Sequence, residues 1–371
     1  MRASEGGERK VYFVAGEASG DRLAADLLRE LKKDPKLRAY GVGGPMLKAA
    51  GQEQSLDLAR HAVVGLTDVL KNLPKFLKFF REVKHEIAEI NPDAVILVDY
   101  PGFNLRLAQA LHREPNGPAL IYYVSPQVWA WKASRVKKIK ACVDKMIVIL
   151  PFEKEFYKKW DYEVEYAWHP LLDSLAPNPS PEERGTERLI ALLPGSRKQE
   201  ISVMLPEMLN VVIKFPDYKF IVAGAPSVDE SFYKQFTTAK NVSIAFSQTY
   251  SLLEKASAAL VTSGTATLET ALYGVPEVVC YKGSGISFQI AKWLIKVKYI
   301  SLVNLIMDKE VVKELIQEEM NAANIEKELN ELLGNKQRIA EMKKEYVALR
   351  EKLGNSGASQ RAAKSIYNFI K

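Results

Sequence analysis

Short runs of β-branched and aliphatic residues at 11–15, 94–98, 120–124, 145–150, 189–193, 220–223, 258–262 and 278–281 alternate with helical stretches such as 21–33 and 267–273. Strand–helix alternation of this kind implies parallel sheets covered by helices on both faces, so the fold class is α/β. At 371 residues the chain is long enough for two domains. Ala176-Pro-Asn-Pro-Ser-Pro181 carries three prolines in six residues and reads as the linker between them. The expected division is a first Rossmann-like domain at 1–175, a second at 176–350, and a terminal helix at 351–371. That helix would pack back on the first domain or on a partner subunit.

Hydrophobic residues make up 47% of the chain and charged residues 26%, ordinary values for a soluble globular protein. The formal charge of +7 favours an acidic partner: nucleic acid, nucleotide or anionic membrane. Cys142 and Cys280 are the only cysteines and form no Cys-x-x-Cys, which favours a reducing cytoplasm. The polar stretch 1–10 and the brief apolar run after it do not make a signal peptide, and no segment reaches the roughly 18 apolar residues of a membrane span. His61, His85, His112 and His169 share no metal-ligand spacing with one another or with a cysteine. Neither a metal nor a cofactor is expected.

Two segments carry the chemistry. Leu189-Ile-Ala-Leu-Leu-Pro-Gly-Ser-Arg197 and Val261-Thr-Ser-Gly-Thr-Ala-Thr-Leu-Glu269 are apolar runs that break into small-residue turns opening helices. Such turns present backbone N–H groups and a helix N-terminus to a phosphate. Arg197 adds a fixed positive charge suited to bidentate contact with diphosphate oxygens, and Glu269 is placed to accept hydrogen bonds from a ribose. Ser263, Gly264 and Thr265 form the second turn. Together they point to a nucleotide diphosphate.

Other motifs sit at strand ends. Val14-Ala-Gly-Glu-Ala-Ser-Gly-Asp21 follows the first strand, with Ser19 or Asp21 able to cap the helix it opens; it is not Gly-x-Gly-x-x-Gly. Asp99, in Val98-Asp-Tyr-Pro-Gly-Phe-Asn104, ends a buried strand where α/β sheets bind ligands; it is a candidate general base or a helix cap. Tyr122-Tyr-Val-Ser-Pro-Gln-Val-Trp-Ala-Trp131 places two indoles in a loop beside Lys132, Arg135, Lys137, Lys138 and Lys140 and reads as a ligand wall or as core anchors. Between 66 and 90, Phe76, Phe79 and Phe80 interleave with Lys71, Lys75, Lys78, Arg81 and Lys84. That pattern suits an interfacial helix on an anionic bilayer or an amphipathic helix with a solvated lysine face, and Pro74 should split it in two. The 288–298 stretch has similar character.

Gly-Glu-Ala-Ser-Gly-Asp (16–21), Val-Ser-Pro-Gln-Val-Trp-Ala-Trp (124–131), Leu-Pro-Phe-Glu-Lys (150–154), Leu-Pro-Gly-Ser-Arg (193–197) and Ser-Gly-Thr-Ala-Thr-Leu-Glu (263–269) together resemble the lipid-A-disaccharide synthase family. The resemblance implies GT-B architecture, with two Rossmann-like domains whose parallel sheets face a central cleft. It implies a cytoplasmic, inverting glycosyltransferase, peripheral on the inner face of the Gram-negative inner membrane. That enzyme would join UDP-2,3-diacylglucosamine to 2,3-diacylglucosamine 1-phosphate (lipid X), giving a β-1,6-linked disaccharide 1-phosphate and UDP. Carried over by motif, Asp99 would be the base, and Arg197, Ser263, Gly264, Thr265, Glu269 and Asn304 would bind UDP. Glu17, Ser19, Ser125 and Trp129 would line the acceptor side, while Lys71, Lys75, Phe76, Phe79 and Phe80 would dock on anionic lipid. The family's C-terminal segment contributes to dimer contacts, so a homodimer is a candidate assembly. The chain departs from the family in having Trp168-His169 for Gly-His and Val303 for the proline before Asn304.

Two rivals fit parts of the pattern. A UDP-sugar epimerase would use similar UDP contacts without a second substrate. A basic nucleic-acid-binding protein would suit the charge, but no recognised nucleic-acid module is present.

Overall fold

The computed structural model describes residues 7–16, 18–57, 73–130, 133–175, 188–283 and 298–370. Glu17, Lys71, Trp131, Lys132, the proline-rich linker and 288–297 of the second basic stretch lie outside the described residues. The chain divides into two compact units, Met1–Ser174 with Gly354–Lys371, and Leu175–Leu353.

The first unit holds seven strands, β1 (Arg9–Ala15), β2 (Leu37–Gly43), β3 (Glu53–Asp57), β4 (Ala94–Val98), β5 (Ala119–Tyr123), β6 (Lys145–Val148) and β7 (Glu165–Tyr166). They lie in the order β3-β2-β1-β4-β5-β6-β7, and every pairing is parallel. Successive side chains of a strand point to opposite faces. Tyr12 and Val14 therefore join one core cluster with Phe79, Leu97 and Phe103. Val11, Phe13 and Ala15 join another with Leu28, Ile96 and Ile366. Each fully buried aliphatic or aromatic side chain contributes about 1.5–3 kcal/mol, which makes β1 a strong anchor for both layers.

The helix Ala358–Ile370 belongs to this unit: Ala362 and Ile366 enter the second cluster, beside the helix Ala18–Leu31. Asp173 fastens its start by accepting from the N–H groups of Gly357, Ala358 and Ser359 at 2.6, 3.0 and 2.9 Å. These are donors that no residue within a helix can satisfy. Asp21 does the same for a different helix from the one it sits in. It accepts from Gly44, Met46 and Leu47 N–H at 2.8, 2.9 and 3.1 Å, so it caps Pro45–Ala49 rather than the helix that it opens.

The second unit holds β8 (Leu189–Leu193), β9 (Lys219–Gly224), β10 (Val242–Phe246), β11 (Ala258–Thr262), β12 (Glu277–Tyr281) and β13 (Lys313–Ile316). Their order is β10-β9-β8-β11-β12-β13, again parallel throughout. Five strands were not anticipated, β2, β3, β7, β10 and β13. Four of them are sheet edges, where a strand has one neighbour and needs no continuous apolar run.

Pro74 lies at the edge of the described part of the basic segment, because residues 66–72 ahead of it are outside the described residues. It stands at the second position of the helix Leu73–Ile90, where its missing N–H costs nothing. That helix corrects the docking expectation for its phenylalanines. Phe76 and Phe79 are only 6% and 5% exposed, with ring centroids 5.6 and 5.3 Å from that of Phe103. Phe80 packs partly buried against the same ring. An aromatic stripe spent on the core cannot enter a bilayer. The exposed face carries Lys75, Leu77, Lys78 and Arg81 instead. Among the described residues no helix is long and apolar enough to cross a membrane.

Candidate active site

In each sheet the chain runs outward from two adjacent central strands in opposite directions, from β1 and β4 in the first unit and from β8 and β11 in the second. These are topological switch points, and ligands of open α/β sheets bind beyond the carboxyl ends of such strands. The four segments that leave them start at Gly16, Asp99, Pro194 and Ser263.

In the first unit Asp99 and Tyr100 are consecutive non-glycine residues at φ +48°, a left-handed conformation held at a cost of about 1–3 kcal/mol each. The Tyr100 ring lies where a side chain at Gly16 would be: a Cβ there would meet Tyr100 Cδ1 at 2.1 Å. Gly16 is therefore required by the close approach of the second switch-point segment. A Cβ on Gly20, in the first turn of the helix Ala18–Leu31, would lie 3.9 Å from Asp99 Cβ, so Asp99 stands beside that helix start. Ser19 is exposed on the same turn.

After β5 the chain turns at Val124, a β-branched residue at φ +64°, into the Ser-Pro-Gln-Val-Trp segment. Trp129 is half-buried, its Nε1 donates to Glu153 Oε1 at 3.2 Å, and its ring meets Phe152 edge-on at 4.9 Å. Glu153 also accepts from Leu150 N–H at 3.0 Å; it is 1% exposed, and burial raises its carboxyl to about 7. Two separate motifs, 124–131 and 150–154, thus form one structure through a residue that the sequence did not single out. Ser125 requires a correction. It is 5% exposed and its hydroxyl pairs with Tyr157 Oη at 2.7 Å and donates to Pro126 O at 3.0 Å, so it supports the loop from beneath rather than facing an acceptor.

His169 is buried, and its Nδ1 accepts from Leu171 N–H at 3.2 Å; desolvation lowers it to about 4, so it stays neutral. Trp168 before it sits at φ +70°, backbone that a glycine adopts without strain. Its indole stacks under Arg361 at 4.1 Å.

In the second unit the turn after β8 needs Gly195 at φ +108°, where a Cβ would meet Glu200 Oε2 at 2.8 Å. Glu200 organises this turn, accepting from Ser196 N–H at 3.1 Å, Arg197 N–H at 3.4 Å and Arg197 Nη1 at 3.1 Å. Its position three residues after Arg197, the cap of the helix Lys198–Leu209, is the signal that would have found it. The Arg197 side chain is 61% exposed. After β11, Ser263 donates through Oγ to Ile300 O at 2.8 Å, and exposed Gly264 precedes the helix Thr265–Leu272. Thr265 is exposed at that helix's first position. Half-buried Glu269 accepts from Tyr250 Oη at 3.3 Å.

Asn304 is also corrected. It is 0% exposed, its Nδ2 donates to Val312 O and Glu314 Oε1 at 2.9 Å each, and its Oδ1 accepts from Val311 and Val312 N–H at 2.7 and 3.0 Å. An amide has two donors and about two acceptor sites, all spent here, so this side chain has none for a nucleotide. With Glu314 and Ser301 it anchors the segment whose Ile300 carbonyl Ser263 holds.

Paired parallel sheets with small-residue turns at both switch points are the fold of the GT-B glycosyltransferases. In fold the chain is similar to the calicheamicin glycosyltransferase CalG4, at 16% identity and TM-score 0.62 over 98% of each chain. It is also similar to the UDP-GlcNAc 2-epimerase from Neisseria meningitidis, at 13% identity and TM-score 0.66 over 97% of this chain and 99% of that one. The family model for lipid-A-disaccharide synthetase matches residues 11–369. A lipid-A-disaccharide synthase from Syntrophus aciditrophicus is 42% identical, covering 97% of this chain and 98% of its own, and one from Legionella pneumophila is 38% identical over 94% of each. The chain belongs to the lipid-A-disaccharide synthase family, and it is a glycosyltransferase of lipid A biosynthesis.

Proposed function

We propose that the enzyme transfers the sugar of UDP-2,3-diacylglucosamine to the 6-hydroxyl of 2,3-diacylglucosamine 1-phosphate by a single inverting displacement. The acceptor oxygen attacks C1 of the donor as its proton passes to Asp99. The C1–O bond to the diphosphate breaks, and UDP leaves carrying the electron pair. One base and no protein nucleophile are needed. The observation that carries this reading is the position of Asp99, a carboxylate held in left-handed backbone at the carboxyl end of β4, at a switch point. UDP is held in the second unit by Arg197, by the N–H groups of the Ser263–Thr265 turn and by Glu269. Arg197 and the helix N-terminus offset the charge that develops on the leaving diphosphate.

The lipid substrates reside in a membrane, and the exposed face of the helix Leu73–Ile90 is suited to meeting one from the cytoplasmic side. Lys75, Lys78 and Arg81 supply attraction to anionic lipid, and Leu77, 46% exposed, supplies an apolar contact. The runner-up is a UDP-sugar epimerase, whose favouring observation is the fold likeness reported above. Mixing enzyme with UDP-2,3-diacylglucosamine, with and without the acceptor, separates the two. Transfer requires the acceptor for any release of UDP, and nuclear magnetic resonance should show a β-linkage in the product. Turnover of the donor alone would favour the epimerase, and an α-linkage would remove the inverting step.

A further inference from the structure

Asn104 lies in the first turn of the helix Pro101–Leu111 and is 0% exposed. Its Nδ2 faces three backbone carbonyls: Asp99 O at 2.7 Å, and Val14 O and Val98 O at 3.3 Å each. Val14 is near the end of β1 and Val98 ends β4, so one amide closes the crevice between the two switch-point strands. Tyr122, fully buried on β5, donates its hydroxyl to the same Asp99 carbonyl at 2.6 Å. Around them, Asp99 N–H donates to Tyr123 O at 3.4 Å, and Asn104 N–H donates to Tyr100 O at 3.0 Å. The Tyr100 ring is pressed between Gly16 and Phe103, stacked 5.7 Å from the latter.

We propose that Asn104 and Tyr122 are positioning residues for Asp99, clamping its carbonyl so that its carboxylate is delivered at a fixed angle. The proposal rests on the reading of Asp99 as the base. The physical reason is the left-handed pair at 99–100. An aspartate relaxes readily to negative φ, and that rotation would swing its Cβ to a different side of the strand end. The carbonyl and the Cβ hang on the same Cα. Two donors on the carbonyl and one acceptor for the N–H therefore hold the direction of the side chain without touching it. An Asp99 side chain free to rotate with its backbone would spend little time in line with an acceptor hydroxyl, and displacements of about 1 Å can cost 100-fold in rate. A role confined to folding would need only that the Asp99 carbonyl be satisfied, which either donor alone achieves.

The test is a pair of double-mutant cycles, with Tyr122→Phe and Asn104→Ser each made alone and together with Asp99→Asn. Tyr122→Phe removes one oxygen from a buried ring and is the variant that keeps the fold. Should Asn104→Ser fail to fold, Tyr122→Phe decides alone. The expected result is a fall in kcat of about 10-fold or more, with KM for both substrates and the Kd for UDP within about two-fold of wild type. In the Asp99→Asn background the same changes should cost no further rate, because the group they orient has gone. Wild-type kcat in both clamp variants, or an equal loss in both backgrounds, overturns the clamp. If Asp99→Asn alone keeps its rate, the base reading fails and the clamp falls with it. If Asp99→Asn is inactive while the clamp variants are not, only the clamp fails.

Discussion

The indole N–H of Trp129 is bonded to the carboxylate of Glu153, which lies in the first turn of the helix Pro151–Lys158 and is buried to 1% exposure. Burial raises that carboxyl from 4.5 to about 7. Because the folded state holds the proton more tightly than the unfolded chain, the associated stability is present below pH 4.5. It is lost as pH rises to about 7, amounting to about 3 kcal/mol over the window. Glu153→Gln should flatten this fall in urea-unfolding midpoints. The Trp129 Nε1–H resonance should shift with a midpoint near 7 in the wild type and stay still in the variant. A wild-type resonance indifferent to pH would disconnect the two residues.

His169 works in the opposite direction. Its value falls from 6.5 to about 4 because it is buried and neutral, so the unfolded chain binds the proton more readily between those limits. Stability should therefore drop as pH falls from 6.5 towards 4, by about 3 kcal/mol in all. The slope is best measured against Glu153→Gln, where the opposing contribution is absent. A pH-independent midpoint in that variant would contradict the burial account of His169.

Arg197 and Glu200 form an exposed pair, and such pairs contribute about 0–1 kcal/mol to stability. Arg197→Ala should leave the thermal midpoint nearly unchanged while weakening UDP binding by roughly 1.5–3 kcal/mol, the worth of a hydrogen bond to a charged group. Calorimetry that returns wild-type affinity would take Arg197 out of the UDP site.

On the helix Leu73–Ile90 the two faces should respond differently. Phe79→Ala should cost about 3–5 kcal/mol of stability, as expected for a core aromatic, with little effect on vesicle binding per folded molecule. Leu77→Ser combined with Lys75→Glu and Lys78→Glu should spare the fold and abolish binding to anionic vesicles. Wild-type binding should itself weaken as salt rises. Vesicle binding untouched by the triple change would place the contact elsewhere.

What was legible in the sequence follows from burial. The four strands at the two switch points, β1, β4, β8 and β11, are covered on both faces and read as unbroken apolar runs, so Asp99 and the 194–197 and 263–265 turns could be placed at their ends. Edge strands such as β10, with its half-buried residues, carry no such run. The Phe76, Phe79 and Phe80 stripe was ambiguous because a helix shows the same periodicity to a core as to a bilayer, and only Phe103 across from it decides. Asn304 and Ser125 look like site residues by motif, yet their hydrogen bonds close inward on partners up to 32 positions away. Glu153 was passed over for the same reason: its indole partner is 24 residues distant and invisible to spacing.

The most direct test of the account is the turnover of Asp99→Asn, measured beside its UDP affinity. An amide of the same shape keeps the fold and would cap a helix almost as well as the acid, but it cannot take a proton from the acceptor hydroxyl. General-base catalysis is worth about 100- to 10,000-fold, so the variant should bind UDP as the wild type does and lose turnover by a factor in that range. A rate above about a tenth of wild type would contradict the assignment and move the base away from the end of β4.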